Sequence, residues 1–509
     1  MNVRKIINTP SFIILSWVVV IVVAAVIAAN IIRLQTNLLY RNTYWVSKKA
    51  SLRKGVAGSV SYIVTPLALA GSRLNLGAWS GYQEVLTKDA LSLSSAQFKF
   101  YLNENAYINF LFDGDEEGFS GIRLSNNSLF KNMTFVVDSE GKFLQKTPFA
   151  IGVVQSKRWN DLKMVFSRNR YTAYLNDEYL GSGVYKRTEQ RIGFRGSMAP
   201  ALIDDVILNL QDPRFTIYES FTNTSTFSIA LVIALGILIG LNCMFLFWFR
   251  AKERKNFSYS EIVKWNVSLM LSLIIVNIYV LCLSGRYPLN YRLINWRGFE
   301  STSDNQQAVV DTIARAYGTN VSDKLFRVIL MGTSQTWGAG ASDDNKVFSV
   351  LLEKFLNDQG ENTYMYEVIN AGISGATSED LVDIYLAQWV KLKPKIVIIN
   401  LSNNDASPQI LEVNLERIVA INKSQNIRTV FILEPNSPEV VKAMSEHLNG
   451  NHRIMKRVAE EQGIPYIDMH SFLLNYYDDG FIWWDGVHLT DYGQSLVAGK
   501  LYQEIKKSL

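Results

Sequence analysis

The sequence predicts a multidomain membrane protein, in which an antiparallel β-sandwich and a doubly wound parallel α/β sheet accompany three transmembrane helices. Three patterns carry that expectation. Uncharged apolar runs occur at residues 11–32, 226–249 and 265–284; short strands with alternating apolar and polar residues fill 77–210; and apolar strands alternate with amphipathic helices from about Asp323 onward. With 509 residues, 48% of them apolar, the chain can fill two globular cores besides its membrane segments.

From Ser11 to Ile32 no residue is charged, and at about 1.5 Å per helical residue that run crosses a hydrocarbon core of roughly 30 Å. A cleaved signal peptide is the rival reading, but its apolar region is normally about 7–15 residues. Ala28-Ala29-Asn30 is also a weak cleavage site. A retained anchor is therefore expected. Between the second and third runs lies Arg250-Ala251-Lys252-Glu253-Arg254-Lys255. The positive-inside rule makes the loop 250–264 cytoplasmic, together with residues 1–10, which carry Arg4 and Lys5. Residues 33–225 and the C-terminal part then lie on the extracytoplasmic face of a multi-pass protein of the cell membrane. Asn266 and Asn277 are best used in hydrogen bonds between spans.

Within 33–225, the core at about 70–212 reads as short strands such as "AQFKFYL", "YINFLF" and "RYTAYL", separated by turns such as "DGDEEG" and "DSEG". Leu162, Met164 and Phe166 alternate on one strand, Tyr171, Ala173 and Leu175 on the next, and Asn176-Asp177 supplies a further turn. With "RIGFRG" and "ALIDDVILNL" following, the segment resembles the concanavalin-like, laminin-G-like sandwiches, many of which bind carbohydrate. Asp113, Asp115, Glu116 and Glu117 are expected in a solvated turn rather than around calcium. Trp79 and Tyr82 are expected in a core rather than against a sugar.

The net charge of +5 is small for this length, and no basic run is interleaved with aromatics, so nucleic acid is not an expected partner. Cys243 and Cys282 both lie in apolar runs, which excludes a readable disulfide framework or cysteine metal site. His447, His452 and His470 lack a ligand spacing and are expected to be solvated or capping. No metal or cofactor is implied.

After a linker at 285–324, the segment 325–509 alternates "LFRVILM", "YMYEVINA", "KIVIINL" and "RTVFILEP" with helices near 347–358, 378–392, 411–424 and 438–462. Strands covered on both faces imply a parallel sheet, whose ligands gather at the carboxyl ends of the strands. Ser334 follows the first strand, Gly375 the second and Asn404 the third. In "WWDGVHLTDYG", Asp485 precedes His488 by three residues, so its carboxylate can hold one imidazole nitrogen while the other faces a serine. A serine hydroxyl needs such a base to become a nucleophile. The oxyanion that forms needs neutral donors, for which the N–H groups of Ser334 and Gly375 and the amide of Asn404 are suited.

Four blocks, Gly332-Thr333-Ser334, Asn370-Ala371-Gly372-Ile373-Ser374-Gly375-Ala376-Thr377, Ser402-Asn403-Asn404-Asp405 and Asp485-Gly486-Val487-His488, resemble in order and placement the SGNH hydrolases, a branch of the GDSL esterase and lipase group. The resemblance implies a flavodoxin-like three-layer domain over 325–509. It further implies Ser334 as nucleophile, Ser334, Gly375 and Asn404 as oxyanion hole, His488 as base and Asp485 as its partner. Thr333 stands where the family usually has Asp, and Ser402 where it has Gly. The expected function is a membrane-anchored serine esterase that removes an acyl group, acetyl foremost, from a cell-surface or exported glycan, among envelope-glycan biosynthesis partners. An O-acyltransferase on the same site, a lipase or lysophospholipase, and a non-enzymatic glycan-binding protein are the alternatives.

Overall fold

The computed structural model describes residues 90–211 and 302–508, with breaks at 115–116, 150–153, 200, 320, 359–363 and 441. It also describes the strands Trp45–Ser47, Ser61–Val64, Ser72–Leu76, Glu84–Thr87 and Thr216–Glu219. The expected spans at 11–32, 226–249 and 265–284, the loop 250–264, both cysteines, Trp79 and Tyr82 lie outside the described residues. Among the described residues no helix is long and apolar enough to cross a membrane. Residues 1–43, 61–73 and 219–290 make up one unit, and residues 44–60, 74–218 and 291–509 a second, which holds the strands from Glu84 to Leu210 and the C-terminal α/β domain.

The N-terminal part of this second unit is built from two antiparallel sheets. One runs Trp45–Ser47, Glu84–Thr87, Arg191–Gly196, Tyr107–Gly114, Gly118–Ser125, Met133–Asp138, Phe143–Pro148; the other runs Glu178–Val184, Arg170–Leu175, Trp159–Ser167, Leu93–Leu102, Ala201–Leu210. Register follows the apolar alternation. Leu162 pairs with Leu175, Met164 with Ala173 and Phe166 with Tyr171, so one face of the hairpin carries all six side chains and is buried. Both residues of the connecting turn, Arg168 and Asn169, have positive φ, the geometry that matches strand twist. The sheets meet through aromatics: Phe98 lies 5.0 Å from Phe110 and 4.7 Å from Phe194, and Phe112 lies 4.8 Å from Tyr171. Asp113 departs from the solvated turn expected for it. It is buried, and its carboxylate accepts from the backbone of Lys186 (3.0 Å) and Arg187 (2.8 Å).

The C-terminal sheet is parallel throughout, in the order Met365–Gly372, Leu325–Gly332, Ile396–Asn400, Arg428–Ile432, Tyr466–Ile467. Period-two alternation divides each strand between two cores. Ile329, Met331, Val397, Ile399 and Phe431 share one cluster with residues of the helices Ser378–Ala387, Pro408–Ser424 and Lys442–Gln462. Val328, Leu330, Ile396, Ile398 and Val430 share the other with residues of Phe348–Asn357 and Asp491–Ser508. The strand order reverses direction between Leu325–Gly332 and Ile396–Asn400, which opens a crevice outside their carboxyl ends. The described part of the expected linker at 285–324 is not irregular throughout. It contains the helix Thr302–Ala316, whose Val310 and Ile313 lie in the first of these cores.

The antiparallel part grips one loop of the α/β domain. Phe143 N donates to Asp479 O (2.9 Å) and Phe481 N to Gly141 O (2.6 Å), an antiparallel bridge in miniature. The Phe481 ring enters the cluster of the first sheet, 5.6 Å from Phe135 and 5.1 Å from Phe143. The Arg195 guanidinium sits 4.3 Å from the Phe481 ring centre and donates to Trp483 O at 2.8 Å. Arg123, buried in the same sheet, pairs with Asp478 at 2.9 Å. Because the chain runs from this loop straight into Asp485, Phe481→Ala should remove about 3–5 kcal/mol of stability. Urea unfolding of the full chain measures that loss.

His452 is also not solvated as expected. It is buried on the helix Lys442–Gln462, its ring 5.7 Å from that of His470. Burial, then the neighbouring His470, lowers its pKa from 6.5 to about 4. Below pH 6.5 the unfolded chain therefore takes up a proton that the folded chain refuses. The associated stability is complete above that pH and is lost as pH falls toward 4, by up to about 3 kcal/mol. Melting temperature should drop between pH 6.5 and 4.5, and less steeply in His452→Gln; equal slopes would contradict the assignment.

Candidate active site

The first strand ends at Gly332, and Thr333 caps the short helix Ser334–Trp337 by accepting from Gln335 N at 3.3 Å. Ser334 thus opens the turn at the strand's carboxyl end, beside the crevice. The second strand ends against this turn at Gly372, where a Cβ would lie 2.1 Å from Trp337 N, so only glycine allows the approach. Gly375 follows with φ +78°, a left-handed conformation, and its backbone is exposed.

Ser334 Oγ lies 2.9 Å from His488 Nε2, and His488 Nδ1 lies 2.7 Å from Asp485 Oδ2. A carboxylate on Nδ1 selects the tautomer protonated there, which leaves Nε2 free to accept the serine proton. The other oxygen, Asp485 Oδ1, accepts from Val487 N (2.9 Å) and His488 N (2.7 Å). One oxygen of Asp485 thus orders the 485–488 turn while the other holds the imidazole. Trp484 N donates to His488 O at 2.9 Å, which closes the turn that presents the imidazole.

Asn404 Nδ2 donates to Ala376 O at 2.9 Å, tying the third block to the Gly375 turn. One amide N–H is committed to this bond, and the amide carries a second. The 402–405 turn is braced from behind, because Asn451 Nδ2 donates to both Ser402 O and Asp405 O at 2.9 Å. Asp405 in turn accepts from Ser378 N at 3.1 Å. Burial pushes the Asp405 carboxyl up, opposed by its bonds from Ser378.

Of the residues singled out in the sequence, Ser334, His488 and Asp485 form one unbroken relay, while Gly375 and Asn404 stand on adjoining turns. One residue was missed. Glu434, fully buried just past the fourth strand, accepts from Thr333 Oγ1 at 2.5 Å and from Ser402 N at 2.6 Å. Its only signal in the sequence is an acid closing the apolar run "RTVFILEP".

Such a relay can transfer the Ser334 proton to His488 as the oxygen attacks an acyl carbon. The imidazolium can then protonate the departing alcohol, leaving an acyl-serine for water to resolve. Ser334→Ala should abolish turnover of an activated ester. Asp485→Asn should lower kcat by about 10³–10⁴-fold through the wrong tautomer, with melting temperature monitored alongside to show that the fold persists.

Residues 330–496 match the GDSL-like Lipase/Acylhydrolase family. Esterase TesA of Pseudomonas aeruginosa is 30% identical over 148 residues, which are 28% of this chain; this chain spans 64% of that relative's length. Among solved structures, the lipase/acylhydrolase from Enterococcus faecalis is 23% identical, with a TM-score of 0.32, covering 36% of this chain and 97% of that one. An acetyl xylan esterase, AlAXEase, is 22% identical, with a TM-score of 0.32, covering 35% of this chain and 100% of that one. The family match takes in the strand ends that carry Ser334, Gly375, Asn404, Asp485 and His488, so the C-terminal domain is similar to the GDSL-like lipases and acylhydrolases over residues 330–496.

Proposed function

We propose that this chain is a serine carboxylic ester hydrolase, anchored in the cell membrane with both globular parts extracytoplasmic, that removes an acyl group, acetyl foremost, from a cell-surface or exported glycan. The relay Ser334–His488–Asp485, at 2.9 and 2.7 Å, is the observation that carries the ester chemistry. Its support in kind is the esterase name of the Pseudomonas relative.

The side of the membrane rests on the basic run Arg250–Lys255 between two uncharged segments. The glycan rests on the two antiparallel sheets, whose alternating strands resemble the concanavalin-like sandwiches, many of them carbohydrate-binding. Together they support the reading in which an ester-cleaving site and a sugar-binding type of module share one face of the membrane.

Purified full chain should be labelled at Ser334 by a fluorophosphonate and should hydrolyse acetylated oligosaccharides faster than long-chain esters. Preference for long-chain esters would replace the glycan with a lipid, and absence of labelling in folded protein would remove the esterase reading. In cells, mass spectrometry of surface polysaccharide with wild type against Ser334→Ala should show acyl groups retained in the variant.

A further inference from the structure

We propose that Glu434 is a positioning residue that locks the nucleophile turn to the oxyanion turn, a role that rests on the esterase reading above. Oε1 accepts from Thr333 Oγ1 at 2.5 Å, next to Ser334. Oε2 accepts from Ser402 N (2.6 Å), Asn403 N (2.7 Å) and Ser402 Oγ (3.2 Å), next to Asn404. Glu434 N donates back to Ser402 Oγ at 3.2 Å. All four donors on this carboxylate come from the two turns whose separation sets the oxyanion geometry.

The following residues extend the grip. Gln335 Nε2 donates to Pro435 O at 2.8 Å, so both neighbours of Ser334 are tied to residues 434 and 435. Ser437 N donates to Gly486 O at 2.9 Å, between Asp485 and His488. From behind, Asn436 N donates to His470 Nδ1 at 3.1 Å. The segment 434–437 therefore touches three of the four catalytic blocks and lies outside all of them.

A carboxylate cut off from water persists only when its lone pairs are filled. Burial pushes the Glu434 carboxyl up, while the bonds from Thr333, Ser402 and Asn403 oppose that shift. The two departures of this chain from the family pattern meet on this group. Thr333 supplies a donor where an Asp would set a second anion against Glu434, and the Ser402 hydroxyl both donates to Glu434 and accepts from it. Thr333, Ser402 and Glu434 thus form a matched set. A shift of the oxyanion turn by a fraction of an ångström weakens the transition state more than substrate binding, so the effect belongs in kcat.

The test uses full-length Glu434→Gln, Thr333→Asp and the double variant, with ester turnover, the rate of fluorophosphonate labelling at Ser334, and thermal melting. Glu434→Gln should lower kcat about 100-fold and slow labelling, with KM within about threefold of wild type. Thr333→Asp alone, although closer to the family pattern, should be as harmful, because two buried carboxylates then face each other. The double variant carries one carboxylate again and should recover at least about tenfold over either single variant. Losses confined to melting temperature, with turnover preserved or with no recovery in the double variant, would overturn the assignment. Should Glu434→Gln not fold, Thr333→Val is expected to lower kcat about tenfold at constant KM, and wild-type kcat would be decisive against the role. Folded wild type that neither labels nor turns over any ester removes the esterase reading and this role together; labelled wild type with unaffected variants removes this role alone.

Discussion

A hydrogen bond of 2.9 Å between Ser334 Oγ and His488 Nε2 joins groups 154 residues apart, and most of the architecture serves to keep its two ends in place. One end is simple to hold. Ser334 sits at the carboxyl end of a central parallel strand, clamped between two neighbours whose ladders are regular from Val328 to Gly332. The other end is harder, because His488 lies in a turn before the last helix, closed by an isolated antiparallel bridge between Trp483 and Leu489 rather than by an extended ladder. Asp485 orders that turn from within, one oxygen on backbone N–H groups and one on the imidazole.

The antiparallel sheets enter the problem here. The loop that leads into Asp485 is fastened to the first sheet by a miniature bridge at Lys142 and Gly480, by the Phe481 ring and by two buried arginines. Aromatic burial supplies the gross affinity, since a ring of this size removes a large apolar area from water. The arginines add direction, because a guanidinium with fixed partners tolerates little displacement. A domain of apparently separate purpose is thus part of the support for the acid–base turn. Two anchorages converge on this catalytic apparatus: the sheet contacts at 478–483 and the buried segment at 434–437.

Much of this was legible in the chain itself. Period-two alternation placed Leu162, Met164 and Phe166 on one face, and the hairpin register follows from it. Continuous apolar strands between amphipathic helices indicated a sheet covered on both sides, and strand-end serine, glycine and asparagine indicated where chemistry would gather. Other features were not legible. Glu434 looked like an acid ending a strand, since nothing local distinguishes a solvated carboxylate from one filled by four donors of distant turns. Asp113 misled for the same reason, as did His452, whose polar type says nothing about what a helix packs against. The helix Thr302–Ala316 was overlooked because its polar composition hides the two residues, Val310 and Ile313, that reach the core.

The sequence by itself determined what acts through neighbours along the chain: strand and helix periods, the three-residue spacing of Asp485 and His488, the strand-end position of Ser334 and the charge pattern around the apolar runs. Only the tertiary structure decided what depends on distance through space. It brought Ser334 to His488, set the antiparallel sheet against the loop before Asp485, and filled the Glu434 carboxylate from two turns. The reason is physical. Local periodicity is dictated by backbone geometry within a few residues, whereas the partner of a buried polar group is set by which segments the whole chain folds into contact.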